Sequence, residues 1–370
     1  MKEIARQEEE FLQLIALSGM KPLAGERTLQ ALYHILRGRK ANQTSQDVHL
    51  FRLYPYYRLF PQLSKEDWEE IVAALLDKNL IQPKQMDVPK TSFVVTQKGE
   101  EVLREGMARC RLAVWFEPFH RLPEAGGWIP PFWLRLHLMV QTVSQLLAQA
   151  PSFYPLVQDR QVQSWVKQQL AEKNERQRWM SELHGELYSL LAPLPAEVQP
   201  LIVRQFAGAG QTGLTIRQLA VIRRQPPSLI LIQWRYGLAL MIERLLGEEK
   251  SRFPLLSRLI AVEKGSSLSV SRSALETYKL LKRRLGLDEI ARIRGITRNT
   301  VEDHLVEIAL HCPEWDASPF LQPADRMRIL AVSDELQTHR LRKIKDRLGE
   351  EYSYLQIRLA LAQRERSETQ

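Results

Sequence analysis

Apolar residues recur at helical spacing over most of the chain, and the few departures mark where other elements fall. Leu29, Leu32, Ile35 and Leu36 line one face of a helix that Gly38 stops. A second helix is predicted from the N-cap Ser64, with Asp67 in its first turn and Trp68, Ile71, Val72, Leu75 and Leu76 as its stripe; Asn79 ends it. Residues 80–86 and 92–96, the latter containing Phe93, Val94 and Val95, then read as two strands joined around 87–90. Pro83 confines the first strand to an edge. A helix over 100–109 follows.

From 118 to 264 the pattern is helical throughout, with amphipathic runs over 133–147, 162–191 and 229–246 punctuated by prolines at 130–131, 193–200 and 226–227. A helical bundle is expected. Thr215 capping Ile216, Leu219 and Ala220, with Arg217, Arg223 and Arg224 nearby, suggests the first half of a helix-turn-helix, but the turn Gln225-Pro226-Pro227 is unusual for that motif and favours a plain bundle. Gly265, Ser266 and Ser267 mark a linker. Beyond it, 273–284 forms a helix with Leu275, Tyr278 and Leu281 inward, and Gly286 ends it. The next helix, 287–294, turns Ile290, Ala291 and Ile293 inward. Gly295 supplies a turn with Ile296 beneath it, and Thr297 caps a third helix whose Val301, Leu305, Ile308 and Ala309 face the core. The fold class is therefore mainly α, with one small hairpin.

The 370 residues are enough for two to three domains, and three consecutive segments are expected: 1–117, 118–264 and 265–370. Lysine and arginine number 52 against 43 acidic residues, a net charge of 52 − 43 = +9, which makes an anionic partner worth testing. Between Arg27 and Pro61 the bias is local: Arg27, Arg37, Arg39, Lys40, Arg52 and Arg58 face Asp47 alone. Two cysteines, Cys110 and Cys312, build neither a disulfide framework nor a cysteine-rich metal site. With an acidic start at Glu3, Glu8, Glu9 and Glu10 and charges interrupting the most apolar stretch, a cytoplasmic, membrane-free protein is expected.

Catalytic signatures are weak. No phosphate-cradling glycine loop ending in Gly-Lys-Ser/Thr occurs. Gly208, Gly210 and Gly213 have dinucleotide-loop spacing but lack the strand before and the acid after, so a loop is expected. His184 and Glu186 match half of a zinc deaminase motif without the cysteines that complete it. No enzyme, cofactor, metal or small-molecule substrate is expected.

Leu36-Arg37-Gly38-Arg39-Lys40, His49-Leu50, Trp68, Asn79-Leu80-Ile81 and Thr96-Gln97-Lys98-Gly99 resemble the winged-helix domain that follows the motor in RecQ helicases. The resemblance implies duplex or forked DNA as ligand, with Arg37, Arg39, Lys40 and the segment 43–49, including Thr44 and His49, on the DNA side. The wing tip holds Val88 and Pro89 where some members carry a strand-splitting aromatic. Near the other end, 287–305 and Tyr352-Ser353-Tyr354-Leu355-Gln356-Ile357-Arg358 look like the helix-turn-helix at the carboxy terminus of many bacterial RecQ-type helicases. Both modules on a chain without the motor resemble the YpbB-like helix-turn-helix proteins of Gram-positive bacteria, which implies a separately encoded RecQ-like helicase as partner.

The spacing of the third helix leaves Arg298, Asn299, Thr300, Glu302 and Asp303 outward, with His304 one turn on and Thr297 at the cap, where a recognition helix reads base edges. Glu302 and Asp303 would repel phosphates, which leaves a protein-binding module open. Arg340, Arg342, Lys343, Lys345 and Arg347 form a further basic stripe. The leading expectation is a non-catalytic DNA-binding accessory protein in DNA repair or recombination. A sequence-specific transcription regulator and a protein-interaction scaffold are the alternatives.

Overall fold

The computed structural model describes residues 2–85, 91–260, 270–312 and 314–364. The expected wing tip at Val88 and Pro89 and the expected linker at 265–267 lie outside them. The chain begins with α1 (Lys2–Met20), α2 (Leu29–Arg37), α3 (Asn42–Leu50) and α4 (Lys65–Asp77). The hairpin of β1 (Ile81–Gln85) and β2 (Thr91–Val95) follows, then α5 (Gln97–Arg109). The middle holds α6 (Leu112–Arg121), α7 (Ala125–Leu147), α8 (Arg160–Gln169), α9 (Lys173–Leu191), α10 (Gln199–Val203), α11 (Ile216–Arg223) and α12 (Pro227–Leu246). The last stretch holds α13 (Arg272–Leu281), α14 (Leu287–Arg294), α15 (Arg298–His311), α16 (Pro323–Glu335), α17 (Leu341–Leu348) and α18 (Tyr354–Ala362).

These elements gather into two compact units that interleave along the sequence. One comprises Met1–Ser18, Glu69–Lys78 and Lys98–Glu263; the other comprises Gly19–Trp68, Asn79–Gln97 and Lys264–Gln370. The units thus cut across the three consecutive segments expected from the sequence, and the helix-turn-helix shares its unit with α2, α3 and the hairpin.

The first unit is a bundle around α12, against which α6, α7, α9, α10 and α11 pack. Ile230, Leu238, Met241 and Ile242 of α12 are fully enclosed. Two expectations change here. The helix α7 runs through Pro130 and Pro131 rather than starting after them. Both prolines fall within its first two turns, so only the carbonyls of Gly126 and Gly127 lose a partner. The long run 162–191 is instead two helices: Asp159 caps α8 by accepting from Gln161 and Val162, and the chain breaks before α9. The glycines at 208, 210 and 213 lie in the connection from α10 to α11, where a side chain at Gly213 would collide with the backbone of Gln205. Glu186 is buried and accepts from the backbone amides of Leu255 (3.1 Å) and Leu256 (3.0 Å), a packing role rather than a metal one.

The second unit is organised around α15, against which α13, α14, α18 and α3 pack. Its hairpin is antiparallel with Ile81 opposite Val95 and Pro83 opposite Phe93. The Phe93 carbonyl accepts from Gly25 (2.8 Å), and Ser92 Oγ donates to the Arg27 carbonyl (3.0 Å). The segment 43–49, expected from the resemblance on the DNA side, lies within the helix α3. Its Thr44, Gln46, Asp47 and Val48 are buried.

Candidate nucleic-acid interface

The helix-turn-helix is built as its sequence dictates. Gly295 adopts φ +63°, a left-handed conformation that ends α14, and its neighbour Ile296 donates to the Ala291 carbonyl at 3.1 Å. Thr297 then caps α15 by accepting from the Thr300 amide at 3.2 Å. Val301, Leu305, Ile308 and Ala309 are enclosed as predicted, together with Ile290 and Ala274. Ile293, expected inward, is 57% exposed.

Only the first turn of α15 remains open. Arg298 lies there, donating to Asp288 (2.7 Å) and Glu302 (3.1 Å). Hydrogen bonding to Glu302 and then to Asp288 holds its guanidinium still more firmly protonated than usual, so its charge is already balanced by two carboxylates. Asn299 is exposed and Thr300 half-buried. Asp303 pairs with Arg358 of α18.

His304 is not presented to a ligand. It is buried, with its Nδ1 2.9 Å from Thr277 Oγ1 and 3.1 Å from Arg294 Nη1. Burial, then the charge of Arg294, pushes its pKa down, and a neutral ring fits a nitrogen that accepts from Arg294. Beyond the first turn, α18 packs on α15 through Arg358 and Asp303, and α3 packs on it through Ser45 at its end. His311 at its end lies 3.4 Å from Ser45 Oγ, and burial, with His49 adding to it, lowers its pKa to about 4. A helix so enclosed cannot lie along a groove with its whole outer face.

The same packing covers two further residues expected from the resemblance to face DNA. Thr44 is 5% exposed. His49 is half-buried, with its Nδ1 2.7 Å from the Tyr54 hydroxyl and its ring edge-on to Tyr54. Asp47 sits in this interior because it is paired, accepting from Arg27 Nε (2.8 Å) and Gln43 Nε2 (2.9 Å). Burial raises the Asp47 pKa, and the charge of Arg27 opposes that rise.

Arg37, Arg39 and Lys40, by contrast, are all exposed at the end of α2. Gly38, at φ +69°, turns the chain there, and a side chain in its place would run into Arg58. Arg37 donates to the Tyr33 hydroxyl (3.1 Å) and stacks over its ring; Arg39 donates to His34 Nε2 (3.1 Å). Burial, then Arg39 and Arg37, lowers the His34 pKa, so the imidazole is a neutral acceptor that positions Arg39. Among the described residues no carboxylate pairs with any of these three cations.

A second basic cluster lies outside the residues that sequence reasoning selects. Lys282, Arg283 and Arg284 follow α13 and are exposed, with Lys282 4.5 Å above the Tyr278 ring. The signal that could have found them is the run Lys279-Leu280-Leu281-Lys282-Arg283-Arg284, whose apolar members alone define the helix. The stripe near the carboxy terminus is divided instead: Lys345 pairs with Glu350, Arg347 with Glu335 and Arg342 with Asp346, and Arg340 donates to the Gly25 carbonyl, leaving Lys343 outward. Among the described residues no group of three metal-ligating side chains occurs, and no helix is long and apolar enough to cross a membrane.

Residues 273–361 match a family model described as a helix-turn-helix domain. Over 354 residues the chain is 26% identical to Protein YpbB of Bacillus subtilis (strain 168), an alignment that spans 95% of this chain and 97% of the relative. No solved structure matches it. The chain is thus similar along nearly its whole length to YpbB, and its carboxy-terminal part carries a helix-turn-helix domain.

Proposed function

We propose that this protein is a non-catalytic DNA-binding accessory factor that holds duplex or forked DNA through its phosphates. The observation that carries the reading is the exposed, carboxylate-free trio Arg37, Arg39 and Lys40, placed in the same compact unit as the helix-turn-helix. Lys282, Arg283 and Arg284 give that unit a second set of outward cations. Phosphate contacts position a protein without specifying sequence, and they suit a surface whose candidate reading helix offers only one open turn. The balanced charge of Arg298 argues in the same direction and against the sequence-specific regulator.

The remainder of the reading rests on resemblance: the amino-terminal elements serve as a winged helix of the RecQ type, and a separately encoded RecQ-like helicase supplies the energy in repair or recombination. Anisotropy with forked, duplex and single-stranded DNA of two unrelated sequences tests the first part. Junction-containing DNA should bind best and both sequences alike; a tenfold preference for one sequence would return the regulator. Co-elution with a purified RecQ-like helicase tests the second part, and separate elution at micromolar concentrations would remove the partnership.

A further inference from the structure

The first compact unit contains a corner with the backbone of the helix-turn-helix. The helices α11 and α14 each have eight residues, and each ends on a left-handed residue, Arg224 at φ +54° and Gly295 at φ +63°. The following amide closes the turn identically: Gln225 donates to the Ala220 carbonyl at 3.1 Å, as Ile296 does to Ala291. Three residues then separate the short helix from a long one, which in both cases is the centre of its unit. Leu219 and Ala220 occupy the positions of Ile290 and Ala291.

What the two corners present is different. Ser228, the counterpart of Asn299, is buried and donates to Glu8, so the start of α12 offers nothing to a groove. The outward element is α11. Arg217 and Val221 stand at i and i+4 along one line, beside Gln218 and Ile222, and Arg224 on the left-handed turn just past the helix adds an exposed cation. Val221 is 56% and Ile222 53% exposed, although Thr215 caps the helix and Leu219 is fully enclosed. The face is also strongly one-signed. Its exposed charges are Arg217, Arg223 and Arg224, and from Val198 to Ile242 the chain has no aspartate or glutamate, while Arg235 within that stretch is buried. Glu197, whose carbonyl accepts from Arg223, is itself paired with Arg111 at 2.9 Å.

We infer that α11 is a docking face for an acidic amphipathic helix of a partner protein. Charge complementarity selects the partner: an apolar ridge of Val and Ile flanked by arginines fits an apolar stripe flanked by glutamates or aspartates. Phosphates would satisfy the arginines and leave the aliphatic pair in water, so a polypeptide accounts for more of the surface than a nucleic acid does. The inference stands apart from the DNA reading, because it uses none of the residues assigned to DNA.

The test uses the full chain and two synthetic helical peptides with leucine at heptad a and d positions, one flanked by glutamate and one by lysine. The glutamate peptide should bind in a salt-dependent way and the lysine peptide should not. Val221→Glu with Ile222→Glu should weaken the glutamate peptide at least tenfold and leave the thermal midpoint and the DNA affinity unchanged. Arg224→Gly provides a check that unfolding cannot mimic, since it removes a cation and relieves a left-handed side chain: peptide binding should fall while the midpoint rises. Failure of the glutamate peptide to bind, equal binding by the variants, or displacement of the peptide by a duplex oligonucleotide would each overturn the assignment.

Discussion

The two corners share a backbone and differ in what surrounds it, and the difference separates folding from recognition. In α14–α15 the turn residue is glycine, the short helix opens on Asp288 and Glu289, and the long helix starts in solvent with Arg298 and Asn299. In α11–α12 the turn residue is arginine, the short helix carries no acid, and the long helix starts buried against Glu8. Both long helices nonetheless serve as the axis of a compact unit. A helix-turn-helix backbone is therefore a packing solution first, and what binds is decided by which few side chains the packing leaves outside.

The largest effects should appear where the corners are alike. Leu305→Ala in α15 and Leu238→Ala in α12 each empty a fully enclosed site, and each is expected to cost about 2–5 kcal/mol in urea denaturation. A cost under about 1 kcal/mol at either would show that its long helix is not the axis of a packed core.

A smaller effect should set the units apart, because α15 carries His304 and His311 while α12 has no histidine. The folded state holds His311 neutral, with its pKa lowered from 6.5 to about 4, so protonation favours the unfolded chain. Its contribution is complete above about pH 6.5 and is lost as the pH falls toward about 4, by at most roughly 1.4 kcal/mol per pH unit. The difference in stability between wild type and His311→Gln should shrink across that window. A difference that stays constant from pH 7 to pH 4 would mean that the ring is accessible to protons in the folded unit.

The smallest effects come from the turn itself. Gly295→Ala should destabilise by about 1 kcal/mol and Arg224→Gly should stabilise by up to about 1 kcal/mol, opposite signs at matched positions. Thermal melts read both, and equal signs would break the correspondence.

Much of this was visible in the amino acids. The start and stop of α14 and the start of α15 follow from Gly286, Gly295 and Thr297, because caps and left-handed turns are local chemistry. The basic residues around the end of α2 were legible for the same reason: Arg37 closes the helix, Gly38 stops it, and Arg39 and Lys40 follow in solvent. The helix α3 was missed because its stripe is polar. Thr44, Gln46 and Asp47 read as surface until Arg27 is found beside Asp47. The enclosure of His304 and of the end of α15 is less legible still, since it depends on Ser45 meeting His311 across 266 residues of sequence. Long-range packing decides which polar residues remain free, and periodicity along one helix does not report it.

The central claim is that the cations at the end of α2 grip phosphate. Duplex affinity measured across a salt series, for wild type and for Arg37→Ala/Arg39→Ala/Lys40→Ala, tests it directly. Without these three cations on the phosphates, the slope of log affinity against log salt should flatten by about 2.7 and binding should weaken on every sequence alike. An unchanged slope, with the variant folded, would contradict the account.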